Sequence, residues 1–261
     1  MEITGSGVLL TGASTGIGAA AAQALAAKGA RLVLVARRVE LLEEVAARCR
    51  DLGSPEVHVL PADLADLEAV DAVATRAVDL LGDVDVLVNN AGAAKRKHLT
   101  RTTWADVVDT LHLNYLSPVR LTLALLPHMT ERGSGVILNV GSLAGRIGAP
   151  IEAAYAGSKF AITGFSESAF VDLAGTGVRV AVVQPGTIDT PLWQTAPGDD
   201  APLYSGPMTP ASDVADGIVE AIEGGSFERF VQADLAPVVA FKAQDIDTFM
   251  TGMVAFSQME R

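Results

Sequence analysis

Only one cysteine, Cys49, occurs in the 261 residues of the chain. An internal disulfide is thereby excluded, and a reducing compartment, by default the cytoplasm, is expected. Cys49 falls in the amphipathic run VELLEEVAARC and is read as a packing residue. No Cys/His cluster with metal-ligand spacing is present, so no metal is expected. Basic residues are also scarce: 19 Lys and Arg stand against 31 Asp and Glu, a net charge of −12. A phosphate backbone demands a basic face, and that shortage argues against a nucleic-acid partner. One short basic run, KRKH at Lys95 to His98, is read as a solvated loop. Long apolar runs are missing too. None reaches the roughly 18 residues of a membrane span, and the chain opens on a strand pattern without a charged leader, so neither insertion nor export is expected.

What the chain does have is alternation. Short aliphatic runs, GVLLTG, RLVLVA, EVHVLPAD, VDVLVNNAG, GVILNVGS and VRVAVVQPG, recur between longer stretches of helical periodicity. They do not alternate with polar residues, which is how strands buried on both faces of a parallel sheet look in sequence. A seventh strand is expected near Glu228 to Asp234. The fold class predicted is α/β, a Rossmann-type doubly wound parallel sheet of about seven strands with helices on both faces. No linker or repeat interrupts the pattern, so residues 1–261 are read as a single domain.

Ligands of open α/β sheets bind at the carboxyl ends of the strands. After the first strand comes TGASTGIG, with Gly12, Gly16 and Gly18 leading into an alanine-rich helix. Glycine permits a tight turn and close backbone approach, and a helix N-terminus offers free N–H groups to phosphate. The segment reads either as a dinucleotide cradle or as an ordinary glycine-rich turn. The second strand ends in Ala36, Arg37 and Arg38, where a carboxylate would bond a ribose 2′-hydroxyl. Two arginines suit a 2′-phosphate instead, which suggests NADP rather than NAD, unless both simply begin the next helix. In AAYAGSKFA, Tyr155 and Lys159 stand four residues apart and share a face of a helix. A nearby ammonium favours phenolate, so the pair is either an acid/base device or a coincidence of spacing.

Taken together, TGASTGIG, NNAG at Asn89 to Gly92, Ser142 in NVGS and YAGSK resemble the motifs of the short-chain dehydrogenase/reductase family, and the likeness runs nearly the whole chain. The resemblance implies a proton donor in Tyr155, a carbonyl-binding hydroxyl in Ser142, and a Lys159 that lowers the tyrosine pKa and bonds the nicotinamide ribose. It adds Asn114, in LHLNYLSP, as a holder of a relay water. Ser14, Thr15 and Ile17 of the glycine loop, Asp63 and Leu64 near the adenine, Asn90, Ala91 and Gly92 after the fourth strand, and Pro185, Gly186, Ile188 and Thr190 on the nicotinamide side complete the implied NADP(H) site. His112 is read as a packing residue.

Substrate recognition is expected in two segments. Residues 191 to about 212 hold Leu192, Trp193, Leu203, Tyr204 and Met208 among prolines and glycines and look like a lid, though a disordered surface loop would have the same composition. The tail from about residue 235 to 261 brings Phe249, Met250, Met253 and Phe256, either to the pocket or to an interface. Apolar lining of this kind suits a hydrophobic small-molecule ketone or secondary alcohol. The resemblance implies a homotetramer or homodimer joined through the helices carrying Asn114 and Tyr155. Two other classes compete: a non-catalytic NADP-binding sensor or scaffold, which would be expected to lack Tyr155, Lys159 or Ser142, and a nucleotide-sugar epimerase or dehydratase, for which too little chain follows QPGTIDT.

Overall fold

The computed structural model describes residues 1–204 and 206–259. Ser205 of the lid segment and Glu260 and Arg261 of the tail lie outside the described residues. Among the described residues seven strands form in chain order: β1 (Gly7–Thr11), β2 (Arg31–Ala36), β3 (Val57–Pro61), β4 (Val86–Asn89), β5 (Gly135–Val140), β6 (Val178–Pro185) and β7 (Glu228–Val231). Between and after them run α1 (Gly16–Ala27), α2 (Val39–Asp51), α3 (Leu67–Leu81), α4 (Trp104–Leu111), α5 (Ser117–Arg132), α6 (Ala153–Asp172), α7 (Ala211–Glu223), α8 (Leu235–Gln244) and α9 (Ile246–Met259). All strand pairs are parallel, in the order β3-β2-β1-β4-β5-β6-β7. The six aliphatic runs thus become six strands, and the sheet is doubly wound.

Strand side chains alternate between faces, which divides the core in two. Val8 and Leu10 of β1 pack with Leu25 of α1, Leu42 of α2 and Ile218 of α7. Leu9, between them, packs on the opposite side with Val73 of α3 and Leu121 and Leu125 of α5. Cys49 is buried in the first cluster, where burial pushes its thiol up to about 11 and leaves it unreactive, as the packing reading expects.

The seventh strand stops at Val231, three residues earlier than expected. Gln232 takes φ +79°, a left-handed conformation that a strand cannot contain, and its Oε1 accepts a bond from the Thr187 amide at 3.2 Å. A side chain tied to the loop after β6 ends the strand. The helix carrying Asn114 begins with a capping box, in which Thr103 and Asp106 satisfy each other's backbone amides. Its middle, His112–Leu116, is a π-helical turn, and α5 continues beyond it. The tail folds into α8 and α9, joined by an edge contact between Phe241 and Phe249, whose centroids lie 6.3 Å apart. Among the described residues no helix is long and apolar enough to cross a membrane.

Candidate active site

The strand order reverses between β1 and β4, so the loops leaving their carboxyl ends diverge and open a crevice. The glycine loop fills one wall. Gly12 adopts φ +67°, and a Cβ there would lie 2.8 Å from Ala91 Cα. A Cβ on Gly18 would collide with the Gly12 carbonyl oxygen, so no side chain fits at either position. Asn90 clamps the loop from across the crevice: its Nδ2 donates to the carbonyls of Thr11 (3.0 Å) and Gly12 (3.2 Å). Thr11 Oγ1 in turn accepts from the amides of Asn90 and Ala91, both at 3.0 Å. Thr15 stands at the N-cap of α1 without making a side-chain cap bond, and the first turn holds no acidic residue. Its amides are left to an incoming anion.

Of the two arginines after β2, Arg38 reaches back onto this loop. Its Nη2 donates to Ser14 Oγ at 3.3 Å and Thr15 Oγ1 at 3.2 Å, while Arg37 is exposed. Asp63 is exposed beyond β3 and accepts from the Ala65 amide at 3.1 Å. Leu64, next to it, is buried in the second core cluster.

Ser142, Tyr155 and Lys159 converge at the end of β5. Ser142 Oγ caps a short 3₁₀ turn by accepting from Ala144 N at 3.1 Å. The Ser142 amide donates to Gln184 Oε1 at 2.7 Å, which fixes the hydroxyl's backbone from β6. Tyr155 and Lys159 are buried on one face of α6, with Lys159 Nζ 5.8 Å from the phenol ring centroid. That ammonium donates to Val140 O at 2.9 Å. Burial pushes the Tyr155 phenol up to about 12; the Ser142 hydroxyl pulls it down, the Glu152 carboxyl raises it and the Arg96 guanidinium lowers it. Burial likewise brings Lys159 down to about 8. Desolvation dominates both groups, and the ammonium is turned toward a backbone carbonyl.

Asn114 lies on the π-helical turn and is buried. Its Nδ2 donates to Ala93 O (2.9 Å) and Ser158 Oγ (3.0 Å), and its Oδ1 accepts from Ala93 N at 2.9 Å. Both amide protons are taken, so the side chain acts first as a clamp between the loop after β4 and α6. Beneath it, Asn89 Nδ2 donates to Asn139 Oδ1 at 2.9 Å, and Asn139 Nδ2 to Ser166 Oγ at 2.8 Å. This polar ladder joins β4, β5 and α6 under the reacting groups.

On the far side, β6 ends at Pro185, Gly186 follows it, and Ile188, buried, pairs with Thr209. A Cβ on Gly16 would meet Thr190 Cγ2 at 3.0 Å, which brings this loop against the glycine loop. Between them opens a cleft of about 500 Å³ lined by Gly16, Asp189, Thr190, Pro191, Trp193, Gln194 and Met208. Leu203 is half-buried, and Tyr204 stacks at a tilt on Trp193 with centroids 6.4 Å apart. In the tail, Phe249 is buried and Met253 half-buried, whereas Met250 and Phe256 are exposed.

The Lys95–His98 run is not the solvated loop expected. Arg96 is only 4% exposed, and its Nε donates to Glu152 Oε1 at 2.8 Å. Lys95 pairs with Asp199 at 2.8 Å and Lys97 with Asp106 at 2.8 Å. Partners far away in sequence compensate the desolvation, which local charge counting cannot see. Arg96, Glu152 and Gln184 are the site residues that the sequence reading passed over. Gln184, a lone amide in an aliphatic strand, carried the one local signal.

A glycine cradle that no Cβ can share, an uncapped helix start and an adjoining cleft fit a dinucleotide. Comparison with known proteins agrees. A family model described as short chain dehydrogenase matches residues 6–201. A fatty acyl-CoA reductase of Mycobacterium tuberculosis is 36% identical over 252 residues, 95% of this chain and 82% of that protein. A short-chain dehydrogenase/reductase from Burkholderia phymatum, solved with NAD, superposes with TM-score 0.86 at 25% identity, covering 95% of this chain and 96% of that one. One from Burkholderia cenocepacia, solved with NADP, gives TM-score 0.82 at 27% identity, covering 97% and 99%. With its parallel seven-stranded sheet and the crevice at its switch point, this chain belongs to the short-chain dehydrogenase/reductase family, oxidoreductases that work with a nicotinamide cofactor.

Proposed function

We propose that the protein interconverts a carbonyl and a secondary alcohol with NADP(H). The observation that carries this reading is the convergence of Ser142 with the buried Tyr155 and Lys159 at the end of β5, on the sheet edge that carries the glycine loop. Bound nicotinamide dinucleotide supplies or accepts the hydride. Tyr155, held neutral by its burial, gives its proton to the carbonyl oxygen as negative charge develops there. Ser142 donates a hydrogen bond to the same oxygen, and Gln184 keeps it aimed. As the proton leaves, the Lys159 ammonium offsets the new charge on the phenolate. Asn114 holds the loop after β4 against α6, so the wall of the crevice stays in place.

NADP is favoured over NAD because no carboxylate ends β2 and Arg38 lies on the phosphate loop. Trp193 and Met208 in the cleft favour an apolar substrate, in keeping with a relative named for fatty acyl-CoA reduction. Residues 191–212 serve as the substrate lid. The outer faces of α5 and α6, with Leu123, Phe170 and Val171 exposed, are proposed to join copies of the chain as a dimer or tetramer; light scattering at micromolar concentration tests this. Catalysis itself is tested by following NADPH and NADH absorbance over a panel of ketones, aldehydes and alcohols. Turnover of apolar carbonyl compounds with NADPH is expected. Cofactor binding without turnover of any carbonyl or alcohol would return the protein to the sensor or scaffold class.

A further inference from the structure

The Lys95–His98 run takes no part in the hydride and proton steps, yet it gathers partners from α4, the start of α6 and the segment after β6. Arg96 is its centre. While Nε holds Glu152, Nη1 donates to Leu192 O at 2.9 Å, and the guanidinium lies over the Trp193 ring, 4.7 Å from its centroid. Its backbone joins the same segment: Arg96 N donates to Asp199 Oδ2 at 3.2 Å, and Arg96 O accepts from Asp200 N at 2.7 Å. Lys95 adds its ion pair to Asp199, and Arg101 one to Asp200. Glu152 is the N-cap residue of α6, three positions ahead of Tyr155.

A planar guanidinium can stack on an indole and donate in its own plane at once; an ammonium cannot do both with one geometry. We propose that Arg96 is a positioning residue for substrate selectivity: anchored on Glu152 beside Tyr155, it holds Trp193 and the Pro191–Asp200 segment over the cleft. Trp193 lines that cleft together with Gly16 and Met208, so the place of its ring sets the room for a large apolar substrate. The selectivity follows from the carbonyl–alcohol reading above, whereas the clasp itself does not depend on it.

The chain has two tryptophans, and Trp104 is 79% exposed. In a W104F background Trp193 is the sole indole, and its emission reports the clasp without any substrate. R96K keeps the charge but not the fork; R96M/E152Q removes both charges, so no ion is stranded. A red shift and stronger acrylamide quenching are expected, small in R96K and larger in R96M/E152Q, with thermal melts confirming folded protein. KM for long apolar carbonyl substrates should rise about 10-fold in R96M/E152Q, with KM for small substrates changed little. Unchanged Trp193 emission in both folded variants would overturn the clasp. A shifted emission with the same relative kcat/KM for large and small substrates would overturn the selectivity role. Absence of any carbonyl turnover in the unmutated protein would count against the proposed function and leave the emission result to decide the clasp.

Discussion

The two walls of the crevice are built by opposite means. On the glycine-loop wall, contact is made by backbone: Gly12 and Gly18 let main chains touch, and Asn90 ties them with two bonds to carbonyls. On the lid wall, contact is made by long charged side chains, with Arg96, Lys95 and Lys97 each desolvated against carboxylates from elsewhere in the chain. The first wall tolerates no added atom. The second depends on pairings that a conservative exchange can loosen without unfolding the sheet. A site that must hold one cofactor and admit a particular substrate is served by one rigid wall and one adjustable wall.

The sharpest break between the walls is in the reacting group itself. Tyr155→Phe should cut turnover by roughly 10² to 10⁴, about 2.7 to 5.4 kcal/mol of barrier, while leaving NADPH binding nearly intact. Carbonyl reduction with NADPH and a fluorescence titration of the cofactor measure the two separately. Gly18→Ala should attack the rigid wall alone, costing on the order of 3 kcal/mol because backbone must move, and weakening dinucleotide binding; a denaturant melt and the same titration check it.

Lys159 gives an effect of opposite sign. Its pKa is near 8 folded against 10.5 unfolded, so between pH 8 and 10.5 the unfolded chain binds more protons and stability rises with pH. Below pH 8 the whole penalty, about 3 kcal/mol, applies. Lys159→Met should therefore stabilise the fold at pH 7 by about 1 to 3 kcal/mol, after loss of the bond to Val140, while removing activity. The gain should shrink as melts are repeated from pH 8 to 10.5. The smallest expected effect refines the cofactor side: Arg38→Ala should narrow the preference for NADPH over NADH by about tenfold, roughly 1.4 kcal/mol, and Arg37→Ala by less. Paired dissociation constants for both cofactors decide between them.

Legibility in the sequence divides along the same line. Six strand runs and the glycine loop are local, and their residue types announce a buried parallel strand and a close-packed turn before any fold is known. Ser142, Tyr155 and Lys159, within eighteen residues of one another, are legible through their resemblance to the family's motifs. Arg96 was misread because the three groups that bury it, Glu152, Leu192 and Trp193, are distant in sequence. The early end of β7 depends on Gln232 bonding back to Thr187, again a long-range event. The raised phenol pKa of Tyr155 is invisible to spacing, since desolvation belongs to the finished interior rather than to the neighbouring lysine.

The π-helical turn at His112–Leu116 can be described in terms of phase. An α-helix advances about 100° per residue, and a π turn accommodates one residue more than the α pattern would. The Ser117 amide accordingly bonds back to His112 O, five residues away. The stretch before the turn and the stretch after it are thus two parts of one rod set out of step by a single position. The first part needs its angle to keep Asp106 against Lys97, and the turn itself needs its angle to keep Asn114 on Ala93 and Ser158. Deleting one residue here would bring the rod into step and swing one set of contacts by about 100° away from its partners. The irregularity accompanies a helix that holds Lys97 through Asp106 before the turn and the loop after β4 through Asn114 within it.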